Sequence, residues 1–358
     1  MMVTQPATPG ESVTGPGRHL VILLIADPGA PASLGRAVAR SLPDQLAGRT
    51  RTPYDWEVVL RVEPYLPHEY TPFLQVIETV DPGGKEADVV IYLTDLPRRD
   101  HTMPVIADIS VEHRFALISI AGVGPLFISR HVADLVALAV AHIIDEPGLV
   151  PSHAARLPST QIDGGLRYFA PKGLRRLRLL LGMVHANRPW QLVLGLSRAL
   201  VGAFASGAAG LATNTIWQFA DTMAPWRMAA GTVLSIAAMV TWLIVDHELW
   251  ERPESPTERD RAVLYNVSTL ITLTIGVAVL HVALFCTLLF TTALVLTPQL
   301  FSRTIGHPVG VLDYLKLAWL LASIATIGGA LGSGLEDDDA VKSAAYGVRQ
   351  RQRFDKPD

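Results

Sequence analysis

Few residues in this chain stand at spacings that build a catalytic group, and those that come nearest are two aspartates at the ends of apolar runs. Asp27 follows Leu20–Ala26, and Asp95 follows Asp88–Leu93 within Thr94-Asp95-Leu96-Pro97. A short continuous apolar run that meets turn residues reads as a buried strand entering a loop. In an open α/β sheet, ligands bind beyond the carboxyl ends of such strands. The candidate ligand-binding residues are therefore Asp27, Gly29, Thr94, Asp95, Gly122 and Gly124. The glycine loops do not carry a nucleotide signature. Gly29-Ala-Pro-Ala-Ser33-Leu-Gly35 has no lysine and is not a phosphate-binding P-loop, and Gly122-Val-Gly124 lacks the third glycine of a dinucleotide fingerprint. No cofactor is expected.

The other titratable residues form no constellation. His68, His101, His113, His131 and His142 are scattered, with no H-E-x-x-H among them, and no serine lies in G-x-S-x-G. No catalytic residue and no metal ligand is assigned. Cys286 is the one cysteine, which excludes an internal disulfide and a cysteine-based zinc site. A net charge of −3 and the lack of a basic, aromatic-interleaved stripe argue against nucleic acid as a partner.

The elements that must position these residues divide the chain of 358 residues in two. Residues 1–17, rich in Pro, Gly, Ser and Thr, read as a disordered leader without the basic start and apolar core of a signal peptide. From 18 to 146, strands alternate with helices: Leu20–Ala26, helix Ala32–Leu46, Trp56–Val62, helix Tyr70–Val80, Asp88–Leu93, an antiparallel pair Pro104–Ser110 and Arg114–Ile120, and helix Phe127–Ile144. The expected fold is a soluble three-layer α/β domain with an antiparallel edge. Residues 147–190 read as a linker carrying an amphipathic helix, Leu174–Met183, whose Arg175, Arg176 and Arg178 among leucines suit a membrane surface.

From 191 to 334 apolar runs lengthen and charges leave them, which predicts an α-helical membrane domain of four transmembrane helices. The spans are placed at 192–212, 228–245, 262–296 and 311–331, with the third read as one long helix whose polar first turns stand outside the bilayer. Arg198 is near enough to a span end to snorkel. Small residues at Gly202, Ser206 and Gly210, and at Gly328 and Gly332, recur every four positions and mark helix-packing stripes, within the chain or between two copies. His281 is the one ionisable side chain deep in a span, a packing residue or a transport group. Lys and Arg cluster before the first span, between the second and third, and in the tail 335–358, which places both termini in the cytoplasm at the inner membrane.

Two stretches carry a resemblance. Tyr92-Leu-Thr-Asp95-Leu-Pro with Pro104-Val-Ile-Ala-Asp108-Ile-Ser, and Gly328-Gly-Ala-Leu-Gly332-Ser-Gly-Leu-Glu336 with Ala344-Ala-Tyr346, resemble uncharacterised actinobacterial membrane proteins that have an α/β N-terminal domain and a four-span C-terminal region. That resemblance implies architecture and host and no activity. A strand ending in Leu93-Thr94-Asp95, a hairpin and then a helix is also similar to the order in zincin-type metalloproteases. Their metal helix needs H-E-x-x-H, and His131-Val-Ala-Asp134-Leu135 lacks both the base and the second histidine.

The expected function is a binding or scaffold domain tethered to the inner leaflet, with the lipid bilayer and a protein partner or second copy as its contacts. The alternatives are a membrane-bound enzyme using the strand-end cleft near Asp27 and Asp95, and a small channel or transporter.

Overall fold

A computed structural model of the chain describes residues 18–50, 54–65, 70–100, 103–124, 127–171, 175–187, 189, 197–253 and 259–333; the side chains at 175, 176, 197, 198 and 331–333 are not among those described. The leader, the tail, His68, His101, and the side chains of Arg175, Arg176 and Arg198 thus lie outside the described residues, as does the surroundings of Gly332. The chain forms two compact units, one built on a sheet and the other on helices.

The sheet unit begins with β1 (Arg18–Ala26), α1 (Ala30–Ala47), β2 (Tyr54–Val62), α2 (Phe73–Val80) and β3 (Val89–Thr94). It continues with β4 (Arg99–Asp100), β5 (Met103–Ser110), β6 (Phe115–Ser119), α3 (Ile120–Val123), α4 (Ile128–Ile143), β7 (Ser159–Ile162) and β8 (Gly165–Phe169). The strand order is β2-β1-β3-β6-β5-β8-β7, with β4 paired to β5. β2, β1, β3 and β6 run parallel; β5, β8 and β7 are antiparallel.

Burial follows from the sequences. Val89–Thr94 and Phe115–Ser119 are buried at every position, as central strands covered on both faces must be. On one face Leu23, Ile25, Val90, Tyr92, Phe115 and Leu117 pack with α2. On the other, Gly35 of α1 lies against Ala26, Leu60 and Leu93, where its lack of a side chain lets the helix approach. The stretch 147–171, expected as a linker, contains the β7–β8 hairpin, which extends the sheet beyond β5. Two features hid it: Ser159-Thr-Gln-Ile162 is only four residues long, and it is nearly all exposed, so it has no apolar run to detect.

The helical unit comprises α5 (Arg175–Ala186), α6 (Ser197–Leu211), α7 (Asn214–Thr222), α8 (Pro225–Asp246), α9 (Arg259–Val295), α10 (Pro298–Ile305) and α11 (Val311–Ser333). Its core is drawn from α6, α7, α8, α9 and α11, with Ala199 and Ala203, then Trp217, then Met239 and Leu243, then Leu273, Leu280 and Leu288, then Leu317 and Leu321. α6 and α11 meet through small residues. A side chain at Gly328 would overlap Ser206, and one at Gly329 would press on Ala203. The Ser206 hydroxyl donates to Gly202 O at 2.9 Å, so it costs the apolar interior no unpaired donor.

Three helices, α8, α9 and α11, are long and apolar enough to cross a membrane. α6 and α7 make a fourth only if taken as one span, and they are bent by 88° where they join. The long run from Ala262 is indeed a single helix, α9. Its polar first turns are buried at Tyr265, Asn266, Ser268, Thr269 and Thr272. Asn266 holds the backbone of Glu251 at both ends, accepting from its N–H at 2.8 Å and donating to its carbonyl at 3.0 Å. Asn187 at the end of α5 donates to Thr272 at 3.2 Å.

Candidate functional site

In the sheet unit the chain leaves β1 toward β2 on one side and returns to β3 on the other, so the strand order reverses between β1 and β3. Ligand crevices in open α/β sheets form at such a switch point. Asp27 directly follows β1 and Thr94 ends β3, with Ala26 and Leu93 as register partners. Thr94 is in turn paired with Ser119 at the end of β6, next to Gly122. The topology thus brings Asp27, Gly29, Thr94, Asp95 and Gly122 to the ends of three adjacent strands.

At this switch point the side chain of Asp27 is tied to neighbouring segments of the chain. Asp27 and Thr94 have no exposed surface. Tyr92 Oη donates to Asp27 Oδ1 at 2.5 Å and accepts from Tyr65 N at 2.9 Å. Tyr65 Oη donates to Glu63 Oε2 at 2.6 Å, and this bond, with some burial, raises its phenol above the ordinary value. Lys85 Nζ donates to Tyr65 Oη at 3.3 Å and stands 5.2 Å from the ring centre, a cation–π position. Thr94 Oγ1 accepts from Leu96 N at 3.2 Å, and Ser119 Oγ donates to Leu96 O at 2.7 Å, so both hydroxyls fold the loop after β3 back over the strand ends.

The glycines serve the turns. Gly29 and Gly124 adopt φ of 95° and 88°, a conformation that favours glycine. Gly122 lies so close to the Val105 carbonyl that a side chain would meet it at 2.8 Å.

A second polar group joins β5 and β8 to β4 and the loop before it. Asp108 on β5 is fully buried and accepts from Arg98 Nη2 at 3.3 Å and from Arg167 Nε and Nη2 at 2.7 and 3.2 Å. Arg167 Nη1 also donates to Asp100 at 3.0 Å, and Arg98 Nη1 to the Thr71 carbonyl at 3.0 Å. Two arginines and two aspartates balance in charge. Burial pulls the Arg98 guanidinium below its ordinary value against the pull of Asp108, whereas for Arg167 the bonds to Asp108 and Asp100 outweigh the same burial.

Sequence reasoning gave no site role to Tyr65, Lys85, Tyr92 or Arg98, and counted Arg167 only among the basic residues before the first span. One signal was on view: Tyr92 interrupts an aliphatic strand, and a buried phenol needs a partner. The other contacts span up to 67 positions and leave no local trace. Asp134 on α4 is buried and faces Arg49 at 3.1 Å and His153 at 3.4 Å. His131, one turn before it, sits edge-on to His153 at 5.6 Å.

In the helical unit, His281 is buried, and its Nδ1 lies 2.9 Å from Thr326 Oγ1 on α11. Gly328 faces Ser206 and Gly202, and Gly210 faces Leu321. On α5, Leu179, Met183 and Val184 are buried, while Leu177 and Leu181 are exposed beside a half-buried Arg178.

No protein family model matches this chain, and no curated protein or solved structure does so either.

Proposed function

We propose that the chain is a four-span membrane protein of the inner membrane, related to the actinobacterial proteins it resembles, with both termini in the cytoplasm and its α/β domain acting as a protein-binding or scaffold module. The observation that carries this reading is the bonded switch point. Lys85, Tyr65, Tyr92 and Asp27 form one bonded chain across the place where an enzyme of this topology would admit its substrate. A domain so closed acts through its outer surface. The apolar helices supply the anchor. The exposed leucines of α5 beside Arg178 suit a bilayer surface, where a basic residue contributes on the order of 1 kcal/mol.

The test is photocrosslinking in native membranes from a reactive residue placed at Pro28 or at Asp95, both half-buried at the strand ends. A discrete adduct with a second polypeptide is expected. Turnover of a small substrate that Asp27→Asn abolishes, with no such adduct, would replace this reading with the enzyme.

A further inference from the structure

The helical unit gathers three metal-ligating side chains from three segments. Asp221 lies in the last turn of α7, His307 in the link between α10 and α11, and Asp313 in the first turn of α11. One ligand atom from each lies within 4.8 Å of the others. We propose that Asp221, His307 and Asp313 bind a divalent transition-metal ion of the zinc class.

The histidine is the decisive group. Its Nδ1 lies 3.0 Å from the Pro308 carbonyl oxygen. A carbonyl can only accept, so Nδ1 carries the hydrogen and Nε2 is the atom left to ligate. Metal-binding histidines are oriented in this way, by giving the other ring N–H to a carbonyl or carboxylate. Nε2 stands 3.1 Å from Asp221 Oδ1. Protonated on both nitrogens, the ring pairs with that carboxylate as an ion pair; neutral, it sets its lone pair against the carboxylate oxygen, an arrangement that calls for a cation between them. Two atoms bound to one tetrahedral zinc at about 2.0–2.2 Å are about 3.3–3.6 Å apart, so the 3.1 Å contact need open only slightly to admit the ion.

The neighbours hold the ligands in place. Ser302 Oγ donates to the His307 carbonyl at 2.7 Å, Lys316 Nζ to the Asp221 carbonyl at 3.3 Å, and Gly310 N to Asp313 Oδ2 at 2.8 Å. Beneath them Trp217, Phe301 and Tyr314 pack edge to face at 5.8 and 5.3 Å, and Gln218 Nε2 donates to the Thr304 carbonyl at 3.3 Å, which fixes α7 to α10. One imidazole with two carboxylates selects zinc or a similar first-row ion over calcium, which takes six to eight oxygens. Three protein ligands leave room for water.

The experiment is zinc titration of the full chain in lipid nanodiscs, read by calorimetry and by metal content after dialysis. One zinc per chain is expected, with His307→Gln and Asp221→Asn each weakening it by about tenfold or more, and with zinc raising the unfolding temperature of the wild type but not of either variant. If His307→Gln fails to fold, Asp221→Asn decides, because the carbonyl that Lys316 holds is unchanged. Absence of saturable zinc binding, or binding that both variants retain, overturns the proposal. In the first case the contact is a protonated histidine paired with Asp221.

Discussion

Arg167 stands directly opposite Asp108 in the β5–β8 ladder and holds it through two nitrogens, Nε at 2.7 Å and Nη2 at 3.2 Å. The pair fastens the terminal hairpin to the sheet at a point where Asp108 has no contact with water. Removing one partner from a buried pair leaves the other charge uncompensated, which is worse than never having built it. Asp108→Ala, which strands Arg98 and Arg167 together, is expected to cost about 3–5 kcal/mol. Urea unfolding of the full chain in mild detergent checks this, and a loss below about 1 kcal/mol would mean that water reaches the arginines.

His142 and Tyr168 make a pH-sensitive contact. Their Nε2 and Oη are 2.7 Å apart, and burial lowers the imidazole below its ordinary value and raises the phenol. A histidine whose folded value is depressed stabilises fully above the unfolded value near 6.5, and that contribution falls as pH drops through 6.5 to the folded value. Stability should therefore decline from pH 7 to pH 5 less steeply in His142→Gln than in the wild type. Parallel curves would show that His142 is not responsible.

Close packing of α6 on α11 depends on Gly328, where a methyl group would overlap Ser206. Gly328→Ala is expected to cost about 1–3 kcal/mol by overpacking, whereas Ala substituted at Gly231, which has open space around it, is expected to be neutral or mildly stabilising. Unfolding temperatures in one detergent give the comparison. Equal effects would mean that the two helices can separate to admit the methyl.

His281 shares its buried position with Thr326. Asparagine can offer a polar atom near the same place, so His281→Asn should retain folding and membrane abundance with a loss of about 1 kcal/mol or less. A specific loss of function at normal abundance would give the residue a transport role.

The proposed orientation follows from Lys and Arg in the loops and is tested by fusion. Alkaline phosphatase joined after Gly347 should be inactive and one joined near Asp221 active. Activity after Gly347 would reverse the orientation.

The legible parts of this fold are those in which one stretch of chain carries its own signal. Leu20–Ala26 and Asp88–Leu93 are apolar because sheet and helices cover both faces, and the observed strands lie within two residues of those bounds. Ala262–Leu296 reads as one helix because no proline or glycine pair interrupts it, and α9 runs unbroken from Arg259 to Val295. The aspartates at the strand ends were also legible, because topology alone puts them there. What ties them in place was not: Asp27 is bonded to Tyr92, 65 positions away. The first span was placed to end at Ala212 and α6 ends at Leu211, whereas α7, set at 88° to it, was not read because Asn214–Thr222 mixes polar and apolar residues over only nine positions. The β7–β8 hairpin is held by register with β5 rather than by its own composition, and polar residues on an edge look like any loop.

Among the described residues the sheet ends in β7 on one side, four residues long and polar, and in β2 on the other, nine residues long with Asp55, Glu57 and Arg61 exposed along it. An open strand recruits another strand unless it is short or charged, and here each side has one of these protections. Chains held by apolar helices in one membrane meet in two dimensions, at local concentrations far above those in free solution. Edges that refuse a second copy therefore let many such chains crowd together without their sheets fusing into a continuous aggregate.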